Sequence, residues 1–183
     1  LSDEEVQLVH TAVLDACDAA DGVTDRVVGD PERCDFDPAV LQCSGAGGDG
    51  CLTAAQVHTV QMMYSSPVNP KTGRAITGVL PGSETNWTNL GWTRSARGTG
   101  LDQYRYLVYA DPEWTIDRFD FATDIVAAEE TDDDTLNALD PNLQPFFDRG
   151  GKLLAYHGWS DAQISRCWAF ASVHRSFPSC AAP

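Results

Sequence analysis

The feature that most constrains this chain is a short acidic loop that lies between Cys17 and Cys34. Three aspartates recur in it at intervals of three and four residues: Asp18, Asp21 and Asp25. Gly22 follows the second aspartate, and because glycine takes positive φ without steric cost, the backbone can turn back on itself there. We expect the loop to direct the three carboxylates to one centre, with the backbone carbonyls of Val23 and Val27 between them. Such oxygen ligands suit Ca²⁺ rather than Zn²⁺. A solvated acidic turn is the alternative that the residues leave open.

The six cysteines of the chain indicate a compartment that allows disulfides to form. An even number of cysteines, closing short loops, is typical of oxidising surroundings, either secreted or periplasmic. Neighbours along the chain predict the pairs Cys17–Cys34, Cys43–Cys51 and Cys167–Cys180, of which the third rests on proximity alone. A zinc site is disfavoured, since neither a Cys-x-x-Cys pair nor clustered histidines accompany the cysteines.

Charge and hydropathy exclude two classes of partner. The chain of 183 residues carries a formal net charge of −15, and a surface of this sign repels nucleic acid and anionic membranes. No stretch approaches the roughly 20 consecutive apolar residues that a membrane-spanning helix needs. We therefore expect neither a nucleic acid nor a membrane as partner.

Two helices are predicted before residue 65. Residues 3–16 repeat apolar side chains with a helical period after a capping Ser2, and Thr53 caps a second helix over residues 54–64. The stretch from residue 65 to residue 100 is rich in Pro, Gly, Asn, Ser and Thr and is too long for a simple connector. Its aromatic residues Trp87 and Trp92 are candidates for the walls of a substrate pocket. Packing of the loop against the core is the alternative for both.

The C-terminal part predicts an α/β element. Residues 152–157 form a short apolar run between glycines, which is typical of a strand buried on both faces of a parallel sheet. Asp161 follows at the C-terminal end of this strand, where open α/β sheets place their chemistry. Helical character resumes over residues 162–177. The chain is therefore predicted to be of the α/β class.

Two blocks of sequence, in this order, resemble the tannase and feruloyl esterase family. The first combines the acidic loop Cys17–Asp25 with Cys34-Asp35-Phe36-Asp37-Pro38, residues 41–43 and residues 51–57, and it is similar to the lid domain of those enzymes. The second, residues 146–161, contains Gly-Gly-Lys-Leu-Leu-Ala-Tyr-His-Gly-Trp-Ser-Asp and resembles the strand and loop that carry the family's catalytic aspartate. The resemblance covers most of the chain.

The resemblance implies a division of the chain and a set of roles. Residues 1–145 would form a loop-rich lid with a structural calcium ion and the disulfides Cys17–Cys34 and Cys43–Cys51. Residues 146–183 would form part of an α/β-hydrolase core with a strand, an acid loop and a helix. Asp161 would be the acid of a serine esterase triad that acts on feruloyl, galloyl or terephthaloyl esters. The calcium ligands would be the side chains of Asp18, Asp21 and Asp25 and the carbonyls of Val23 and Val27.

The chain departs from the family at the other two triad positions. The sequence contains no Gly-x-Ser-x-Gly elbow, and the Gly- and Cys-rich loop that carries the family's histidine is absent. We therefore predict that the chain alone does not hydrolyse esters, and that the rest of the hydrolase core is its partner. Two alternatives remain: a non-catalytic, calcium-binding recognition or structural domain, and an independent hydrolase that uses Ser160 with His157.

Overall fold

The computed structural model describes residues 1–45, 50–73, 78–90, 102–132 and 142–164. Within these ranges, regular structure is helical. The α-helices are α1 (Asp3–Cys17), α2 (Ala54–Tyr64), α3 (Asp124–Asp132) and α4 (Gln144–Asp148). Shorter 3₁₀ turns cover Asp18–Asp21, Pro31–Arg33, Pro38–Leu41 and Ile116–Arg118, a longer 3₁₀ segment covers Glu84–Leu90, and one π-helical turn covers Tyr104–Val108. In these ranges no helix has the length and apolarity that a membrane crossing requires.

Helices α1 and α2 begin where their capping residues predict. Ser2 accepts a hydrogen bond from the Glu5 amide at 3.2 Å, and the Glu5 side chain accepts one from the Ser2 amide at 2.6 Å. Thr53 and Gln56 form the same reciprocal pair at the start of α2. Each pair satisfies two amides that the first turn of a helix leaves without partners, so the side chains themselves fix both starting points.

The core lies between α1, α2 and the Glu84–Leu90 segment. Helix α1 buries Val9 and Val13, and α2 buries Val57 and Val60. Trp87 is completely buried among them, and its ring meets that of Tyr64 edge-on at 5.4 Å between centroids. The apolar stripes of two short helices thus share one core with a segment from the irregular part of the chain.

Two of the three predicted disulfides are present, and they confirm the pairing of neighbours. Cys17 is bonded to Cys34 across the acidic loop, and Cys43 is bonded to Cys51. The second disulfide lies beside a short bridge in which the Cys43 amide donates to the Leu52 carbonyl at 2.8 Å. Cys167 and Cys180 lie outside the described residues.

A second cluster of side chains is aromatic. Tyr104, on the π-helical turn, stacks on Trp114 at 5.2 Å between ring centroids, and Phe119 meets Tyr104 edge-on at 5.4 Å. Trp114 is buried, and its carbonyl accepts a hydrogen bond from Nε of Arg105 at 2.8 Å. This cluster packs together the stretch of chain that precedes α3.

The predicted buried strand over residues 152–157 is wrong for the described chain. These residues have no regular secondary structure, and Leu154 and Tyr156 are 88% and 91% exposed. A parallel strand is stable only beside other strands with both faces covered, and the described ranges contain no strand that would pair with it. The helix expected over residues 162–177 falls almost entirely on residues 165–183, which lie outside the described part.

Candidate functional site

The loop that carries Asp161 is held by hydrogen bonds from its own backbone. Oδ1 of Asp161 accepts from the amides of Gln163 and Ile164 at 2.9 and 3.0 Å, and the Asp161 amide donates to the Gly158 carbonyl at 3.3 Å. Oδ2 lies 3.9 Å from Nε2 of His157. One carboxylate oxygen thus fixes the rotamer of Asp161, and the side chain is 39% exposed. A carboxylate oriented in this way is suited to accept a hydrogen bond from an imidazole.

Asp161 lies in a cleft between two parts of the chain. The cleft has a volume of about 520 Å³ and is lined by residues 158–163, by Val27 and Val28 of the acidic loop, and by Asn86. The loop of residues 158–163, which carries Asp161, therefore faces the acidic loop and the Glu84–Leu90 segment, although these stretches are far apart in sequence. Trp159, 36% exposed, supplies the aromatic surface of the cleft. The sequence contained a hint of this role, because Trp159 stands two residues before Asp161.

Ser160 and His157 are engaged with backbone carbonyls. Oγ of Ser160 donates to the Gly82 carbonyl at 3.4 Å, and Nε2 of His157 lies 2.6 Å from the Ile164 carbonyl. Both contacts hold the loop that carries Asp161 in place. They give no support to the alternative in which Ser160 and His157 act together as nucleophile and base.

The three aspartates of the acidic loop bond to the loop's own amides. Asp18 is buried and accepts from the amides of Asp25 and Arg26 at 3.0 to 3.1 Å. Asp21 accepts from the Val23 amide at 2.9 Å, and Asp25 accepts from the Val27 amide at 3.1 Å. These bonds fold the loop around Asp18.

The loop has the donor chemistry that a calcium site requires but not a formed cluster. Gly22 takes φ of +93°, as the predicted reversal of the backbone requires. Val23 and Val27 can offer only their backbone carbonyls as ligands, because an aliphatic side chain has no donor atom. Among the residues that the structure describes, no three His, Cys, Asp or Glu side chains form a group that would hold a metal ion. The calcium set therefore stays a prediction.

The structure places Trp87 in the core. It is 0% exposed, and its indole Nε1 donates to Oγ of Ser83 at 3.0 Å. The packing interpretation therefore fits Trp87, which forms no wall of the described cleft. Trp92 lies outside the described residues.

A buried carboxylate that the sequence did not single out lies close to this site. Glu84 is completely buried, accepts from the Tyr64 hydroxyl at 2.6 Å and the Gly82 amide at 2.8 Å, and lies 2.7 Å from Nδ1 of His10. It therefore joins α1, α2 and the segment that lines the cleft. Nothing in the pattern around residue 84 indicates burial, because the surrounding stretch has no helical or strand period.

The family is decided by comparison with known proteins. The family model described as tannase and feruloyl esterase matches residues 1–177, which is nearly the whole chain. The chain belongs to the tannase and feruloyl esterase family. The resemblance predicted from the acidic loop and from the stretch before Asp161 is thereby confirmed.

Similar sequences and structures occur among fungal feruloyl esterases, and an esterase of the bacterium Xanthomonas campestris is 32% identical over 182 residues, covering 90% of this chain and 32% of the relative. The chain is 33% identical over 166 residues to a probable feruloyl esterase B of Emericella nidulans, covering 90% of this chain and 31% of the relative. It is 32% identical over 159 residues to feruloyl esterase B of Aspergillus niger, covering 86% and 30%. The crystal structure of feruloyl esterase B from Aspergillus oryzae superposes with a TM-score of 0.83 at 28% identity over 93% of this chain and 34% of that one. The chain thus spans about a third of the length of these relatives.

Proposed function

We propose that the chain is the lid and the acid-bearing part of a secreted serine carboxylic-ester hydrolase that acts on aromatic acyl esters. The observation that carries the proposal is the oriented Asp161 carboxylate in the cleft between residues 158–163 and the acidic loop. Membership of the tannase and feruloyl esterase family supports an ester as the substrate. Relatives named feruloyl esterase B support a feruloyl acyl group. Galloyl and terephthaloyl groups are the other aromatic acyl groups in the proposal. The two disulfides fit an extracellular location.

In this proposal residues 1–145 are the lid and residues 146–183 belong to the α/β-hydrolase core. Asp161 accepts the Nδ1–H hydrogen bond of the catalytic histidine, fixes its tautomer and stabilises the imidazolium that forms when the serine loses its proton. The serine, the histidine and the oxyanion hole that binds the tetrahedral intermediate are supplied by the rest of the hydrolase core. The absence of a Gly-x-Ser-x-Gly elbow from the sequence supports this division of roles.

We also propose that the acidic loop holds a structural calcium ion. The side chains of Asp18, Asp21 and Asp25 and the carbonyls of Val23 and Val27 would be its ligands. The buried Asp18 carboxylate at the centre of the loop supports the proposal, since a second or third carboxylate drawn towards it would need a cation to offset the repulsion. The ion would hold the exit of α1 and, through Val27 and Val28, one side of the cleft.

The proposal is tested first by labelling serine. The purified chain of 183 residues is treated with a fluorophosphonate, and its intact mass is measured. We expect no adduct on the folded chain, because the activated serine belongs to the rest of the core. An adduct would place a reactive serine in these residues and would overturn the proposed division of roles.

The role of Asp161 is tested in the native protein that carries this chain, with methyl ferulate as substrate. We expect Asp161→Asn to lower kcat by about 10⁴-fold, since an amide orients the imidazole in the wrong tautomer. Asp117→Asn is the matched control, because Asp117 is exposed and remote from the cleft residues in sequence. Equal activity of both variants would remove Asp161 from the mechanism.

A non-catalytic recognition domain is the second candidate, and the partly exposed Trp159 ring in the cleft is the observation that favours it. The exposed ring of Trp159 in the cleft would then bind an aromatic acid without turnover. Isothermal titration with ferulate separates the two. Saturable binding to a native protein that hydrolyses no aromatic acyl ester, and loss of that binding in Trp159→Ala, would favour recognition over catalysis.

A further inference from the structure

We propose that Asn86, on the lid, is a positioning residue for Asp161. The inference rests on the proposed function in one respect, namely that Asp161 is the acid of the triad. It adds that the lid, in addition to the hydrolase core, determines where that acid lies.

The contact that carries the inference is a hydrogen bond across 74 residues of sequence. Nδ2 of Asn86 donates to the Ser160 carbonyl at 3.0 Å. That carbonyl and the Asp161 amide belong to the same planar peptide unit, so holding the oxygen fixes the plane from which the Asp161 side chain departs. The Asp161 amide, at the opposite edge of the same peptide unit, donates to the Gly158 carbonyl. Asn86 therefore completes the restraint on the peptide that precedes the acid.

Asn86 is well suited to transmit this restraint because its neighbours do not move freely. Ser83, Glu84 and Trp87 are each completely buried. Glu84 is bonded to Tyr64 of α2 and lies beside His10 of α1. A side chain on a segment that is held in this way has a defined position relative to both helices.

A second set of contacts holds the same loop from the acidic-loop side. Oγ of Ser160 donates to the Gly82 carbonyl, and Gly82 packs so closely on Val28 that a Cβ at residue 82 would lie 3.0 Å from the Val28 Cβ. Ala162 is buried in the same core cluster as Val28. The acid is thus flanked on both sides, at residues 160 and 162, by contacts to the lid.

The orientation of the Asp161 carboxylate affects the rate of the chemical step. Its Oδ1 is already used by two backbone amides of its own turn, so a rotation of the preceding peptide would turn the whole carboxylate with it. A misplacement of about 1 Å at a catalytic group is enough to lower a rate by about 10²-fold. Because Asn86 also lines the cleft, we expect the loss of its bond to affect the chemical step more strongly than the binding of the ester.

The test compares Asn86→Ala with Thr85→Ala, an exposed neighbour on the same segment. Hydrogen exchange of the chain is measured at the Asp161, Gln163 and Ile164 amides, together with the melting temperature. We expect Asn86→Ala to raise the exchange rates there by about threefold to tenfold, the effect of one lost hydrogen bond. The melting temperature falls by only a few degrees, as expected for the loss of one hydrogen bond, and Thr85→Ala behaves as the unchanged chain. Equal exchange in both variants would overturn the inference.

Hydrolysis of methyl ferulate by the native protein supplies a readout that a merely structural role would not change. We expect Asn86→Ala to lower kcat by about tenfold or more and to change KM by less than this, and Asn86→Gln, which keeps an amide donor, to recover part of the loss in kcat. An unchanged kcat in a protein that requires Asp161 would overturn the positioning role. If the protein hydrolyses no ester but exchange at residues 161–164 rises in Asn86→Ala, the proposed function fails and the coupling of lid and loop stands.

Discussion

The hydroxyl of Tyr64 donates to Oε1 of Glu84 over 2.6 Å inside the core, and the Gly82 amide donates to the same oxygen. Burial raises the pKa of the Tyr64 hydroxyl, and the negative charge of Glu84 raises it further. Tyr64 therefore stays protonated as a donor to Glu84 throughout the physiological range. The pair joins α2 to the segment that carries Asn86, so the donors to Glu84 support the cleft as well as the core.

Removal of the Tyr64 donor leaves part of a buried carboxylate without a partner. We expect Tyr64→Phe to lower the free energy of unfolding by about 1–3 kcal/mol, measured by urea denaturation. Tyr156→Phe is the matched control, because Tyr156 is exposed and its hydroxyl is in water. A Tyr64→Phe variant as stable as the control would show that water or a neighbour replaces the lost hydrogen bond.

The bond between Tyr109 and Asp124 gives stability that depends on pH at both ends of the scale. The hydroxyl of Tyr109 donates to Oδ1 of Asp124 at 2.7 Å, and this bond raises the pKa of Tyr109 to about 12. Burial alone would raise the pKa of Asp124, but the hydrogen bonds from Tyr109, the Asp120 amide and Thr123 together lower it below its usual value. The contribution of the tyrosine is complete below its unfolded pKa of about 10 and is lost between about 10 and 12. That of the aspartate is complete above its unfolded pKa and is lost as the pH falls through the folded one.

We therefore expect Tyr109→Phe to destabilise the protein near neutral pH and to differ less from the unchanged protein at both extremes. Denaturant midpoints measured from pH 2 to pH 12 check this. Tyr106→Phe is the control, since Tyr106 lies on the π-helical turn that Tyr109 caps and is largely exposed. A constant difference between Tyr109→Phe and the unchanged protein at all pH values would contradict the assignment of the bond.

Chelation tests the proposed calcium ion. At a free concentration one hundred times its Kd, a bound ion stabilises the folded state by about 2.7 kcal/mol, so we expect a chelator to lower the melting temperature by several degrees. Asp21→Asn should abolish the difference between chelated and calcium-loaded protein, whereas Asp35→Asn, at an exposed position, should retain it. A melting temperature that prolonged chelation leaves unchanged would contradict the proposal.

Gly82 has two reasons to be glycine, and they can be separated by mutation. Its φ is +94°, and a Cβ there would press on Val28. Gly150 has a φ of +81° with open space around it, so Gly150→Ala measures the backbone strain alone, about 1–2 kcal/mol. We expect Gly82→Ala to cost about 1–3 kcal/mol more than this control in urea denaturation, because the crowding adds to the strain. Equal losses in the two variants would show that Val28 moves aside.

Local rules predicted the parts of the fold that depend on neighbours in sequence. Helix α2 lies at residues 54–64 as predicted, because Thr53 and Gln56 satisfy its first amides directly. Helix α1 lies within one residue of the prediction for the same reason. The disulfides Cys17–Cys34 and Cys43–Cys51 also join near neighbours, so proximity sufficed. Asp161 was proposed as the acid through the resemblance of residues 146–161 to a known family, and its role stays a prediction.

Other features depend on residues that are distant in sequence, and the periodicity of the sequence does not indicate them. The apolar run over residues 152–157 reads as a buried strand, but a strand exists only beside a partner, and periodicity does not reveal whether one is present. Trp87 and Glu84 occur in a stretch without a period, so their burial follows from where α1 and α2 place the segment. The Asn86 contact with the Ser160 carbonyl spans 74 residues, so the sequence pattern does not predict it either.

The burial of Ala162 among the core residues of the helices has a bearing on how a substrate enters. A cover that swings open on a hinge would have to pull this methyl group out of the interior, and Asp161, its neighbour, would be carried away with it. If Asp161 is the acid of the triad, as proposed, each opening would displace it from its partners and each closing would have to restore them. We therefore expect this side of the cleft to stay fixed during turnover, with the substrate entering through the mouth of the cleft.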